Sequence, residues 1–250
     1  MYVFYENYFS SIDSEDKAYL LGFICTDGNI YKRDGHQTQL QISLKDCDDE
    51  ILIHFKNSLN ANHPIKTIQD IRRKNTKMST ITFVSETLAK DLQKIGVFPN
   101  KTFLIDYTYI FNLIDKKLWN SLLLGMFDGD GNIDYPKDGT ISRSHVRLSG
   151  PIKQLEQILE VLQQLGITTK IIEDKRKYTE PFGSLECTNT VSKYCLLKLL
   201  YSSKVESLTR KKQNAAEIIF RIENNTTNRK ENKDAIKRWL SMEKVSEWHE

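Results

Sequence analysis

The chain has 250 residues, 39% of them hydrophobic and 28% charged, and a net charge of +3. That length suffices for one large domain or two small ones with a proper core, and the small net charge means that an acidic partner must be met by local basic patches. No apolar run of about 18 residues exists, so no membrane span is expected. The start, Met1-Tyr2-Val3-Phe4-Tyr5-Glu6-Asn7, lacks a basic region followed by an apolar stretch, which argues against a signal peptide.

Residues 1–12 are aromatic-rich and read as a lead-in that packs on the first helix. Asp13 is the expected N-cap of that helix, with Glu15 and Asp16 in its first turn. The helix should be amphipathic, run to Asp27 and stop at Gly28 in the left-handed conformation. Gln37-Thr38-Gln39-Leu40-Gln41-Ile42-Ser43-Leu44-Lys45 alternates with period two, placing Leu40, Ile42 and Leu44 in a core and Gln39, Gln41, Ser43 and Lys45 outside. A helix over about 48–59, strands near 64–72 and 79–85 and a helix near 86–95 follow, and Gly96 and Pro99 break the last. Residues 102–114 are the candidate linker. They are too apolar for a free tether and should pack on the surface.

The same order then begins again. Asp115 can cap a helix that ends in Asp130, followed by a strand near 141–149 and a helix from Pro151 to about Leu165. Strands near 168–176 and 184–189 and a helix near 191–202 complete the set. Residues 1–101 and 115–225 thus read as two repeats, with 226–250 a charged helical extension. The fold class expected is α+β, with two pseudo-symmetric αββαββα repeats.

The repeat is strongest in two stretches, Leu20-Leu21-Gly22-Phe23-Ile24-Cys25-Thr26-Asp27-Gly28-Asn29-Ile30 and Leu123-Leu124-Gly125-Met126-Phe127-Asp128-Gly129-Asp130-Gly131-Asn132-Ile133. Seven of these eleven aligned positions are identical. At an offset of 104, Lys66–Asp70 aligns with Lys170–Asp174, and basic runs follow both: Arg72, Arg73 and Lys74, then Lys175, Arg176 and Lys177. The same offset sets Gln39, Gln41, Ser43 and Lys45 against Arg143, His145, Arg147 and Ser149. This is an internal duplication with one structural unit per half.

A carboxylate in the last turn of a helix meets the negative end of the dipole, and two such ends side by side repel. Divalent cations between them reverse the sign, because hard cations take carboxylate and carbonyl oxygens. Gly22 and Gly125 each cost about 1 kcal/mol mid-helix, which close approach of two helices would offset. A metal-filled carboxylate pair suits phosphodiester hydrolysis. The string Asp128-x-Asp130-x-Asn132 is not a calcium loop, since Ile133 stands where that loop needs glycine and Gly139 where it needs glutamate. The histidines show no ligand spacing. Cys25, Cys47, Cys187 and Cys195 sit far apart with no Cys-x-x-Cys pair, which argues against a structural zinc site and suits a reducing intracellular setting.

The two stretches are similar to the paired motifs of the LAGLIDADG family, and residues 14–225 resemble a monomeric, two-repeat homing endonuclease. The resemblance implies motif helices at a central seam and two antiparallel sheets forming a saddle over the DNA major groove. It implies Asp27 and Asp130 as the acids that hold the metal, with the carbonyls of Thr26 and Gly129 helping. The cofactor would be Mg²⁺, with Mn²⁺ or Ca²⁺ substituting in binding. Lys101, and Arg210 or Lys211 in the second half, match basic groups set near the scissile phosphates. Cys25 departs from the usual aspartate of its position. Gln37, Gln39, Gln41, Ser43, Lys45, Arg143, His145, Arg147 and Ser149 would contact the groove, glutamine suiting adenine and arginine guanine. The basic runs would hold phosphates. The expected partner is a long, non-palindromic DNA duplex bound by a monomer in a bacterial or phage-infected cytoplasm or an organelle. An intron-RNA-binding maturase and a non-catalytic DNA-binding regulator are the alternatives on this scaffold.

Overall fold

A computed structural model describes residues 2–32, 34–70, 76–176, 180–224 and 230–242. The first repeat runs α1 (Glu15–Asp27), β1 (Gly28–Tyr31), β2 (Gln39–Lys45), α2 (Asp49–Ser58), β3 (Lys66–Gln69), β4 (Lys77–Val84) and α3 (Glu86–Lys94). After α4 (Tyr107–Leu113), the second runs α5 (Trp119–Gly129), β5 (Gly131–Asp134), β6 (His145–Pro151), α6 (Ile152–Gln164), β7 (Lys170–Glu173), β8 (Phe182–Glu186) and α7 (Thr190–Leu200). Helices α8 (Thr209–Asn224) and α9 (Lys230–Leu240) follow. The sheets are antiparallel with equivalent orders, β1-β2-β4-β3 and β5-β6-β8-β7. This is the αββαββα duplication expected from the sequence.

The two motif helices form the centre. A Cβ on Gly22 would collide with the Leu122 carbonyl and lie 3.1 Å from the Met126 nitrogen; one on Gly125 would collide with the Tyr19 carbonyl. Only glycine lets these backbones touch. Neither helix is amphipathic, contrary to the sequence expectation: Ala18 through Cys25 and Trp119 through Asp128 are buried without interruption. Each helix meets its twin on one side and the flanking elements of its repeat on the others, so no face is left for solvent. Two local details also differ. Ser14, not Asp13, caps α1 by accepting from the Lys17 amide, while Asp13 pairs with the Lys17 ammonium. Gly28 is extended at φ −70°, and glycine is needed there because a Cβ would lie 2.7 Å from the Ile24 carbonyl oxygen.

The segment expected as linker contains a 3-10 turn (Lys101–Phe103) and α4, with Tyr107, Ile110, Phe111 and Ile114 buried. In the tail, Trp239 of α9 is buried and donates to the Leu165 carbonyl at 2.8 Å.

Strand pairing corrects the alignment of the repeats. Gly28 pairs with Ile42 and Gly131 with Leu148, so Ile42 corresponds to Leu148 at an offset of 106. Gln39, Gln41 and Ser43 therefore correspond to His145, Arg147 and Ser149. The second β-hairpin connection is longer than the first, and sequence matching at a fixed offset missed it. The error of two residues keeps every side chain on its expected face, because strand faces alternate with period two. Lys66 pairs with Thr80 and Ile172 with Ser184, so Lys66 corresponds to Ile172 rather than Lys170.

Candidate metal and nucleic-acid site

Helices α1 and α5 lie in register, so their C-termini emerge together and Asp27 and Asp130 become neighbours. A Cβ on Gly129 would sit 3.4 Å from an Asp27 carboxylate oxygen, which measures how closely the two ends pack. Among the described residues neither carboxylate accepts a hydrogen bond or lies within ion-pair distance of a cation. Burial, and then the charge of Asp130, push Asp27 up to about 6. Burial likewise raises Asp130, which is solvent-exposed yet lines a pocket with Thr26, Lys101 and Ser149. Two neighbouring carboxylates, offset only through space by the ammoniums of Lys101 and Lys211, suit a hard divalent ion. Among the described residues no cluster of three or more His, Cys, Asp or Glu offers a rival metal site.

The carbonyl ends of these helices are capped by buried lysines. Lys101 donates from Nζ to the Cys25 carbonyl at 2.7 Å and the Thr26 carbonyl at 2.6 Å. Lys211 donates to the carbonyls of Phe127 and Asp128, each at 2.7 Å. Burial pushes the Lys101 ammonium down, and Lys211 down to about 8. Lys211 is thus the counterpart of Lys101. Arg210 turns away and forms a two-pronged ion pair with Asp48 at 2.7 and 2.8 Å, so it does not line the centre. The caps are not identical, because Lys101 occupies the Thr26 carbonyl whereas Lys211 sits one residue earlier and bypasses Gly129.

Three polar residues around these caps were not among the site residues expected from the sequence. Asp128 is buried, with Tyr19 and the Leu208 amide donating to it, and burial pushes it up to about 6. Gln154 of α6 donates to the Thr102 carbonyl at 2.8 Å, holding the turn that carries Lys101. Asp48 takes Arg210. Each contact joins residues at least 52 positions apart, and the lone sequence hint was the acid at 128 facing a cysteine at 25.

The outward faces of the sheets present Gln39, Gln41, Ser43 and Lys45 in the first repeat, with Thr80, Thr82 and Val84 beside them. Tyr31 donates to Gln39, and Ser43 bonds Thr80 at 2.8 Å. Gln37 lies ahead of β2 and lines a cleft of about 780 Å³ with Tyr2, Lys66 and Ile68. The second face presents His145, Arg147 and Ser149. Arg147 lies 3.9 Å from Glu186, too far for a tight pair. Arg143 is not on a strand. It sits in a 3-10 turn (Ile141–Arg143) and pairs with Asp138 at 2.7 Å, because β6 starts only at His145. At the second hairpin tip Lys175 is exposed, and Arg176 pairs with Asp174 at 2.5 Å. Arg72, Arg73, Lys74 and Lys177 lie outside the described residues.

Fold and site define a single chain of two αββαββα repeats, each with an antiparallel four-stranded sheet, whose motif helices end together at one acidic centre. Residues 120–239 match the family described as LAGLIDADG-like domain. That match covers the second repeat, and the first repeat carries the same motif letters and the same order of elements. Solved structures similar to it include the meganuclease I-SmaMI bound to uncleaveable DNA, at 14% identity and TM-score 0.57, covering 91% of this chain and 99% of that one. I-DmoI in complex with DNA and Ca is 17% identical with TM-score 0.53, covering 81% and 96%. The homing endonuclease I-WcaI bound to its DNA recognition sequence is 14% identical with TM-score 0.56, covering 80% and 87%. No curated protein matches the sequence.

Proposed function

We propose that this chain is a site-specific double-strand DNA homing endonuclease that hydrolyses phosphodiester bonds with a divalent cation, Mg²⁺ in the cell. The observation that carries the reading is the Asp27–Asp130 pair: two carboxylates pushed up by burial at the ends of packed helices, with Lys101 and Lys211 acting on them only through space. A protein that only binds nucleic acid gains nothing from that repulsion beside a phosphate. The family and the DNA-bound neighbours support the same conclusion.

Asp27 and Asp130 would hold the cation, aided by the Gly129 carbonyl; Thr26 is a weaker candidate because Lys101 already occupies its carbonyl. The cation supplies charge neutralisation at the phosphate and activation of water. Lys101 and Lys211 offset the negative ends of the motif helices and keep positive charge beside the phosphates. Gln37, Gln39, Gln41, Ser43 and Lys45 read one half-site, and His145, Arg147 and Ser149 the other. Lys175 and Arg176 hold phosphate at the second tip. Because the faces differ in chemistry, the target is not palindromic. Both repeats lie in one chain, so a monomer suffices. The unpaired cysteines fit a reducing intracellular compartment.

The test is to incubate the protein and Mg²⁺ with the uninterrupted form of its genomic neighbourhood and map the breaks. Double-strand cleavage at one site supports the reading. Binding to folded intron RNA without any cleavage of DNA would replace it with a maturase.

A further inference from the structure

The second motif contains an acid that metal binding does not use. Asp128 is 2% exposed, and both of its donors converge on one oxygen. The Tyr19 hydroxyl and the Leu208 amide each donate to Oδ2 at 2.8 Å. Oδ1 is buried and has no partner. The equivalent residue of the first repeat, Cys25, makes no such side-chain contact among the described residues; its carbonyl accepts from Lys101.

Leu208 is the residue from which α8 departs, since its carbonyl accepts from the Lys212 amide at 3.0 Å. One turn on, Lys211 reaches back to the carbonyls of Phe127 and of Asp128 itself. Asp128 therefore holds α8 twice, by its side chain at the helix start and by its backbone through the lysine. Thr209 and Arg210 tie the same turn to Glu50 and Asp48, but from the solvent side, where the Arg210 side chain is 54% exposed. On the first repeat Lys101 is placed differently, by a 3-10 turn held through Gln154.

We propose that Asp128 is a positioning residue that fixes the start of α8 so that Lys211 stays over the α5 end of the acidic centre, and that it acts on that half alone. What matters is hydrogen-bond acceptance at one point. An asparagine carbonyl in the place of Oδ2 keeps both bonds, whereas alanine leaves the buried Leu208 amide and Tyr19 hydroxyl without an acceptor. The consequence for DNA rests on the nuclease reading: loss of the clamp slows cleavage of one strand, always the same one.

The test compares Asp128→Ala with Asp128→Asn in two assays. In acylation of lysines on the folded, metal-free protein, Lys211 labelling rises at least about fivefold in Asp128→Ala, the factor one lost hydrogen bond gives a local opening equilibrium. It stays at the unaltered level in Asp128→Asn, and Lys101 is unchanged in both. In plasmid cleavage, Asp128→Ala accumulates circles nicked in one strand, while Asp128→Asn gives linear product. Should Asp128→Ala fail to fold, Asp128→Cys, which copies the first repeat, carries the comparison. Unchanged Lys211 labelling in the alanine variant, an equal rise at Lys101, nicks shared between strands, or an asparagine variant that behaves like alanine would each overturn the proposal. If the unaltered protein cuts no DNA, the nuclease reading fails while the labelling still decides the role of Asp128.

Discussion

Asp27→Asn is expected to stabilise the metal-free protein while abolishing its activity. Burial and Asp130 hold Asp27 at about 6 instead of the usual 3.8. A carboxyl raised in this way favours the folded state at low pH, and that advantage is lost as pH rises from about 4 through 6. Above pH 6 the ionised group costs about 3 kcal/mol relative to an unperturbed aspartate. Asparagine carries no charge to desolvate or to repel Asp130, so it should recover about 1–3 kcal/mol at pH 7.5. The assay is urea denaturation in EDTA, at pH 7.5 and again at pH 4. The gain should appear at pH 7.5 and vanish at pH 4, where the aspartate is protonated in the folded state. A variant less stable than the unaltered protein at pH 7.5, or a gain independent of pH, would refute this reasoning.

Mg²⁺ or Ca²⁺ without DNA should raise the melting temperature, by the equivalent of about 2.7 kcal/mol at a hundredfold excess over Kd. The rise should disappear when Asp27 and Asp130 are both asparagine; an equal rise there would place the cation elsewhere. Gly22→Ala should destabilise by about 3 kcal/mol or prevent folding, because its Cβ meets backbone that cannot yield, and a melting temperature within a degree of the unaltered protein would contradict the close seam. Arg147→Ala should cost about 1–3 kcal/mol at one base pair and relax its specificity, read by binding to targets substituted one position at a time; uniform weakening would assign Arg147 to phosphate instead.

Much of this architecture was legible in the sequence because it is written twice. Seven identities in eleven residues located the seam, and the period-two alternation of 39–45 located a strand and its outward face. The acidic pair followed from helices ending in the same residue. What was not legible depended on distance in space. The offset between repeats drifts from 103 at the motif to 106 at the second strand, so Arg143 was placed on a strand it precedes. Arg210 and Lys211 are adjacent and both cationic, and it is Asp48 in the other repeat that takes Arg210 away from the centre. Asp128 was an ordinary motif letter in the sequence, and only the fold brings the Leu208 amide to it.

The most direct measurement of the central claim uses one bound duplex, with binding equalised in Ca²⁺ and cleavage started with Mg²⁺. The unaltered protein should cut both strands, whereas Asp27→Asn and Asp130→Asn should bind alike and fail to make the double-strand break. Cleavage by either variant at the unaltered rate would contradict a metal centre shared by the two aspartates.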